Sequence, residues 1–337
     1  MSPIPPKSLI RPMLSAGSIP AMLASAAFTG GLLSVVQSNV HPMLLAERFV
    51  PGSGWVEVGL LSIYAAIVCG AMLDPVRQPR WRRWTWRVFS VAFYGQLLLG
   101  LAGIEKCLMT GKLHLPVPAV IAAGPAYRGG GFFMLGLFLT TLVLVGPAWC
   151  SHLCYLGAWD DVAASRTAFP RALPRWVRPG KIVFALAVLL AAFLMGLAGI
   201  DGTTAAVVGG IFGIAGVVVM ARFSARTGTM AHCLFWCPIG VLATRLGRIS
   251  LFRLTIRSSC TGCRLCFRAC RYDALHPEDL ERGRPAASCT LCGDCIQSCR
   301  HDSIRYRFSR YGMPAVRHVF IVFVASLHAV FLGLARI

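Results

Sequence analysis

Eight of the chain's fourteen cysteines crowd into one short stretch. From Cys260 the sequence reads C-TG-C-RL-C-FRA-C, and from Cys289 it reads C-TL-C-GD-C-IQS-C. Each half is C-x2-C-x2-C-x3-C, the spacing of a thiolate run that holds a [4Fe-4S] cluster. A cubane takes four thiolates, three from the close-set cysteines and the fourth from elsewhere. In two-cluster ferredoxins the fourth cysteine of each run crosses to the other cluster. On that rule Cys260, Cys263, Cys266 and Cys299 hold cluster 1, and Cys289, Cys292, Cys295 and Cys270 hold cluster 2. The flanks repeat as well, Cys270-Arg-Tyr-Asp-Ala-Leu against Cys299-Arg-His-Asp-Ser-Ile, which marks an internal duplication. Zinc prefers two pairs set further apart, and a reducing compartment does not keep disulfides. Two [4Fe-4S] clusters are therefore the expected cofactors. Arg271 and Arg300 stand where such runs usually carry proline.

A second cysteine pattern is C-x3-C-x2-G. It occurs as Cys150-Ser-His-Leu-Cys154-Tyr-Leu-Gly157 and as Cys233-Leu-Phe-Trp-Cys237-Pro-Ile-Gly240. On a helix, residues i and i+4 share one face. Two such pairs facing each other would offer four thiolates, from Cys150, Cys154, Cys233 and Cys237. They are a candidate third metal or iron–sulfur centre, or a redox-active thiol site; the plain alternative is four buried, inert thiols. His152 and His232 adjoin the motifs as candidate ligands or proton carriers. Cys69 and Cys107 belong to no pattern and read as structural. His318 and His328 lie ten residues apart, a poor pair for haem. Glu57 and Glu105 sit near span ends, where a carboxylate either takes up quinol protons or reaches headgroup water.

The elements that position these residues follow from composition. The chain is 56% hydrophobic and only 14% charged, with net charge +20, which places it among membrane proteins. Apolar stretches near the ~20 residues needed to cross a bilayer lie at 19–39, 55–73, 87–104, 132–149, 181–199, 203–221 and 316–335. The start at Lys7 and Arg11 resembles a signal peptide, but no clear cleavage site follows, so the first stretch reads as a retained span. Arginine is concentrated in the connections 74–87 and 150–181. The positive-inside rule then puts the N-terminus, both connections and residues 222–315 in the cytoplasm, and Arg336 outside. Trp81, Trp84 and Trp86 read as an interfacial belt. The 112–131 connection, with His114, Tyr127 and Arg128, is apolar and proline-stiffened, suited either to re-entering the membrane edge or to packing as a tight hairpin on neighbouring helices. Spans 3–4 and 5–6 form two parallel repeats, each delivering one C-x3-C. The expected fold is mainly α: a polytopic bundle of about seven spans with a small cytoplasmic two-[4Fe-4S] ferredoxin-like domain inserted before the last span. Its parts are residues 1–257, 258–312 and 313–337.

With both motifs, the double ferredoxin run, and the segments Gly111-Lys-Leu-His-Leu-Pro-Val-Pro118 and Gly146-Pro-Ala-Trp-Cys150, the chain resembles the NapH/MauN-type membrane ferredoxin family. It also resembles the membrane-plus-ferredoxin part of NosR-type proteins. The likeness covers roughly residues 85–312. It implies a protein of the inner membrane that passes electrons between the quinone pool, or a cytoplasmic donor, and a respiratory or maturation partner. Such families carry C-x3-C-Pro twice, whereas here Tyr155 follows Cys154 and only Cys237 precedes a proline, Pro238. No flavin domain fits this length. The expected partners are membrane lipid, quinone or quinol, and a redox protein, with no nucleic acid. Other readings are a metal-handling maturation factor, for instance one that reduces copper, and a redox-sensing regulator.

Overall fold

The computed structural model describes residues 17–39, 44–107, 115–308 and 315–334. The expectations for Lys7, Arg11, His114 and Arg336 lie outside them. In chain order the helices are α1 Ile19–Gln37, α2 Leu45–Phe49, α3 Gly54–Leu73, α4 Gln78–Leu101, α5 Val120–Arg128, α6 Phe133–Val145, α7 Tyr155–Ala164, α8 Val177–Leu197, α9 Gly202–Val219, α10 Ala225–Thr227 and α11 Pro238–Leu246. Strand β1 (Phe252–Ile256), helices α12 (Leu265–Ala269), α13 (Pro277–Glu281) and α14 (Asp294–Ser298), and strand β2 (Ile304–Phe308) form a small unit before α15, Val316–Leu334.

Six helical stretches are long and apolar enough to cross a membrane: Ile19–Gln37, Gly54–Leu73, Phe133–Leu153, Val177–Leu197, Gly202–Thr227 and Val316–Leu334. They cover six of the seven expected spans. The expected span at 87–104 lies within α4, which is long enough but starts at Gln78, with Pro79 in its first turn. Arg80, Arg82, Arg83 and Arg87 make its first half too polar to count with the other six. Exposed Val183, Leu186, Leu190 and Leu194 on α8, and Val207, Ile211, Ile214 and Val218 on α9, recur at helical spacing. Such an outward apolar stripe suits lipid.

Helices α1, α3 and α15 pack together. Small polar residues stitch them: the Ser25 and Ser326 hydroxyls lie 3.0 Å apart, and Ser25 donates to the Ala65 carbonyl at 3.3 Å. The expected re-entrant connection becomes α5, packed on α8 and α6. The Tyr127 hydroxyl donates to the Ile200 carbonyl at 2.6 Å.

Strands β1 and β2 pair antiparallel, from Phe252↔Phe308 to Ile256↔Ile304. Phe252, Leu254, Ile256, Ile304 and Tyr306 are buried, the period-2 alternation of a half-buried sheet. Strand β1 lies just ahead of the expected 258–312 segment and pairs with β2 inside it. Tyr306 stacks on Phe320 of α15 at 4.5 Å. Arg317 donates to the Met72 carbonyl at 3.0 Å and to Gln78 Oε1 at 2.8 Å. The last helix thus ties the small unit to the ends of α3 and α4.

Candidate functional site

The duplication is visible in the backbone. Gly262 and Leu291 hold the same place in the first gap of their runs, with φ of 69° and 57°. Arg264 and Gly293 hold the same place in the second gap, at 59° and 84°. Asp273 and Asp302 repeat the pattern after the runs, at 48° and 50°. A left-handed conformation at a residue other than glycine costs about 1–3 kcal/mol and persists only where its surroundings enforce it. Alternating left- and right-handed residues turn successive N–H groups toward one centre, a nest suited to an anionic group.

The thiols sort by run and crossover. Cys270, Cys289, Cys292 and Cys295 line one small cavity with Leu254, Tyr272 and Leu275. Cys266 interacts electrostatically with Cys260, Cys263 and Cys299. The backbone N–H of Ala274 donates to Cys270 Sγ and that of Ser303 to Cys299 Sγ, both at 3.3 Å. Burial pushes the Cys270, Cys289 and Cys292 thiols up to about 12 and drives Cys295 well above its ordinary value. Four such groups stay neutral unless cations sit among them, and iron supplies that charge. The donor set and the inward amides therefore fit a [4Fe-4S] cluster. Cys263 is exposed, so the set with Cys260, Cys266 and Cys299 lies on the solvent side.

The two C-x3-C motifs share one geometry, which differs from the expected α-turn. Each is a five-residue π-turn, Trp149–Leu153 and His232–Trp236. It closes with an N–H to C=O bond over five residues: Cys154 to Trp149 at 3.0 Å, and Cys237 to His232 at 2.9 Å. The second cysteine then turns extended, with φ, ψ of −79°, 113° at Cys154 and −82°, 115° at Cys237, and caps the next helix, α7 or α11. The wider turn and the extended cysteine redirect the second thiol, so a shared α-helical face is not what joins each pair. A common cavity does. Cys150, Cys154, Cys233 and Cys237 all line it, with Pro118, His232, Gly157 and Gly240. Among the described residues no three His, Cys, Asp or Glu side chains converge tightly enough for a single metal ion. Thiols that bind the separate irons of a cluster stand further apart than ligands of one ion.

Burial pushes Cys154 up to about 12 and Cys237 up to about 11, against a smaller downward pull from amides at the starts of α7 and α11. Helix N-termini carry partial positive charge that favours thiolates. The motif glycines have a defined job. A Cβ on Gly157 would come 2.9 Å from the Cys150 carbonyl oxygen, and one on Gly240 would overlap the Cys233 carbonyl oxygen.

Several residues here escaped the sequence reading. Trp86 is fully buried and donates its indole N–H to the Cys154 carbonyl at 2.6 Å; it is not part of an interfacial belt, whereas Trp84 is half exposed. Arg82 is buried, its Nη2 2.9 Å from Asp294 Oδ2 and its Nη1 3.1 Å from the Ser151 carbonyl. Asp160, buried, accepts the Cys233 N–H at 3.0 Å. The Ser151 hydroxyl donates to the Thr290 carbonyl, between Cys289 and Cys292, at 2.9 Å. His152 bonds Ser151 through Nδ1 at 2.9 Å, while its buried Nε2 has no partner. Glu57 accepts the Ala46 N–H at 2.8 Å, a structural use of that carboxylate.

Residues 129–175 match a protein-family model described as a 4Fe-4S binding domain. No curated protein and no solved structure matches the chain. The matched stretch holds α6, the first π-turn and α7, and its cysteines are Cys150 and Cys154 alone. The match supports iron–sulfur chemistry, and the six apolar helices are consistent with a multi-pass membrane protein.

Proposed function

We propose that the chain is a membrane electron-transfer protein with two [4Fe-4S] clusters in its ferredoxin-like unit and a third iron–sulfur centre on the paired motifs. The observation that carries the reading is the grouping of thiols: four around one cavity, four by crossover, and the motif cysteines around another. The 4Fe-4S match falls on a stretch with only two cysteines, so the other two ligands of a cubane there come from its counterpart, Cys233 and Cys237. Iron–sulfur clusters supply one-electron chemistry; the protein sets their order and potential. The resemblance to NapH/MauN-type proteins favours the quinone pool as one terminus. Quinol oxidation yields two electrons and two protons. The Tyr64 hydroxyl lies 3.0 Å from Nε2 of buried His328, a pair able to take such a proton between α3 and α15. At the other terminus, exposed Arg264 beside Cys263 and exposed Arg300 beside Cys299 suit an acidic redox partner. In this reading α4 is the seventh span, the N-terminus and the ferredoxin unit are cytoplasmic, and the C-terminus lies across the membrane.

The test uses full-length protein purified in detergent. Iron, labile sulfide and electron paramagnetic resonance should report two clusters that survive the double substitution Cys154→Ala, Cys237→Ala. That double variant should lose the additional iron and all reduction by quinol. Unchanged iron and quinol reduction would reduce the motif to packing. Metal on the four thiols without quinol reactivity would favour a maturation factor.

A further inference from the structure

Cysteines of both thiol sets border one buried apolar cluster. Trp86 and Tyr272 belong to a single apolar cluster with Met230 and Leu234, and Cys233, Cys270 and Cys292 all pack against it. Cys233 belongs to the paired motifs, Cys270 and Cys292 to cluster 2. Cluster 2 is therefore the inner cluster, and the solvent-side set of exposed Cys263 is the outer one. Above the Trp86 ring, at 5.4 Å, sits the guanidinium of Arg82. Its nitrogens reach both sites, through Asp294 in the second gap of the cluster 2 run and through the Ser151 carbonyl inside the first C-x3-C motif. The Arg82 Nε and Asp294 Oδ1 are buried without partners. A cation this deeply desolvated is held for its charge as well as its hydrogen bonds, because a buried charge is costly unless compensated.

We infer that Arg82 raises the reduction potential of the inner cluster, so that electrons pass in the order outer cluster, inner cluster, paired thiols or the reverse, with the inner cluster as the electrostatically favoured resting place. The inference rests on the iron–sulfur reading. Adding an electron to the inner cluster adds one negative charge beside Cys292. A guanidinium in the low-dielectric interior stabilises that charge strongly. Asp294 acts in the opposite sense. The two side chains therefore have opposite signs of effect, which a purely structural clamp would not produce.

The experiment is a redox titration of the full-length protein in detergent, followed by electron paramagnetic resonance. The inner-cluster signal is first identified as the one lost in Cys292→Ser, and the outer as the one lost in Cys263→Ser. Arg82→Gln should weaken reduction of the inner cluster at least about tenfold, a fall of about 59 mV for a one-electron couple, and leave the outer cluster nearly in place. Arg82→Lys should fall less. Asp294→Asn should raise the same midpoint. Equal shifts in both clusters, the same sign of shift in Arg82→Gln and Asp294→Asn, or no shift with the cluster intact would overturn the assignment. Loss of the inner cluster in both Arg82→Lys and Asp294→Asn would do so too, since the pair would then be only a clamp. Failure of the underlying reading looks different: Cys292→Ser and Cys263→Ser would remove no cluster signal at all.

Discussion

Replacing Gly240 or Gly157 by alanine is a sharp test of the paired π-turns. Each glycine lies in the first turn of the helix that follows its motif, over the carbonyl of the motif's first cysteine. At Gly157 an added Cβ would sit 2.9 Å from the Cys150 carbonyl oxygen and 2.6 Å from the Trp86 ring. At Gly240 it would overlap the Cys233 carbonyl oxygen. Both obstacles include backbone, which cannot swing aside as a flexible side chain would. Overpacking of this kind costs about 1–3 kcal/mol. Alanine in a helix recovers at most about 1 kcal/mol relative to glycine. The net expectation is a loss of up to about 2 kcal/mol, with the first cysteine displaced from the cavity. Gly95 in α4 and Gly136 in α6 are the references, because a Cβ there meets nothing within 4 Å. Their alanine variants should be neutral or slightly more stable. The assay is the thermal midpoint of each variant in one detergent, with iron content measured in parallel. Gly157→Ala and Gly240→Ala should both melt lower than the references and lose the same share of iron. If both match Gly95→Ala in midpoint and iron, the carbonyl contacts do not hold the motifs and the shared geometry has no energetic content.

Cys260→Ser and Cys299→Ser should abolish the same resonance signal, since both belong to the solvent-side set with Cys266; loss of different signals would defeat the crossover. Reporter fusions should place the two termini on opposite sides of the membrane. Termini on one side would mean that α4, polar in its first half, does not cross.

The grouping of the run cysteines follows their spacing, because spacing is a local property: Cys270, Cys289, Cys292 and Cys295 line one cavity as the C-x2-C-x2-C-x3-C pattern with crossover leads one to expect. Long apolar stretches were legible for the same reason, whereas the helix α5 within the proline-stiffened connection was not expected. The internal turn of C-x3-C was not, because four-residue spacing is common to α- and π-turns. Only the extended backbone at Cys154 and Cys237 separates them. The strand at Phe252 was missed because it carries no ligand and its partner lies more than 45 residues on, at Ile304–Phe308. Arg82 and Trp86 were unreadable for a further reason. An Arg- and Trp-rich stretch beside an apolar run has the composition of a membrane interface, and only tertiary packing turns two of those residues inward.

Arg271 and Arg300 show how the duplication was put to use. They occupy equivalent positions after the fourth cysteine of each run, where proline is usual. Proline offers no donor. The Arg271 Nη1 lies 2.6 Å from the Ala164 carbonyl, 2.9 Å from that of Gly228 and 3.3 Å from that of Thr167. The Arg271 carbonyl in turn accepts the Met230 N–H at 2.9 Å. Arg271 thus fastens the run that ends at Cys270 to the end of α7 and to the segment that leads into the second C-x3-C motif. Arg300 is exposed. The same departure from proline therefore has opposite surroundings in the two halves. The half fastened to the bundle is the one whose fourth cysteine, Cys270, joins the inner set, and the half facing solvent supplies Cys299 to the outer set. A symmetrical sequence has been docked asymmetrically, and the docking gives the two sets unequal access to solvent and to the paired thiols.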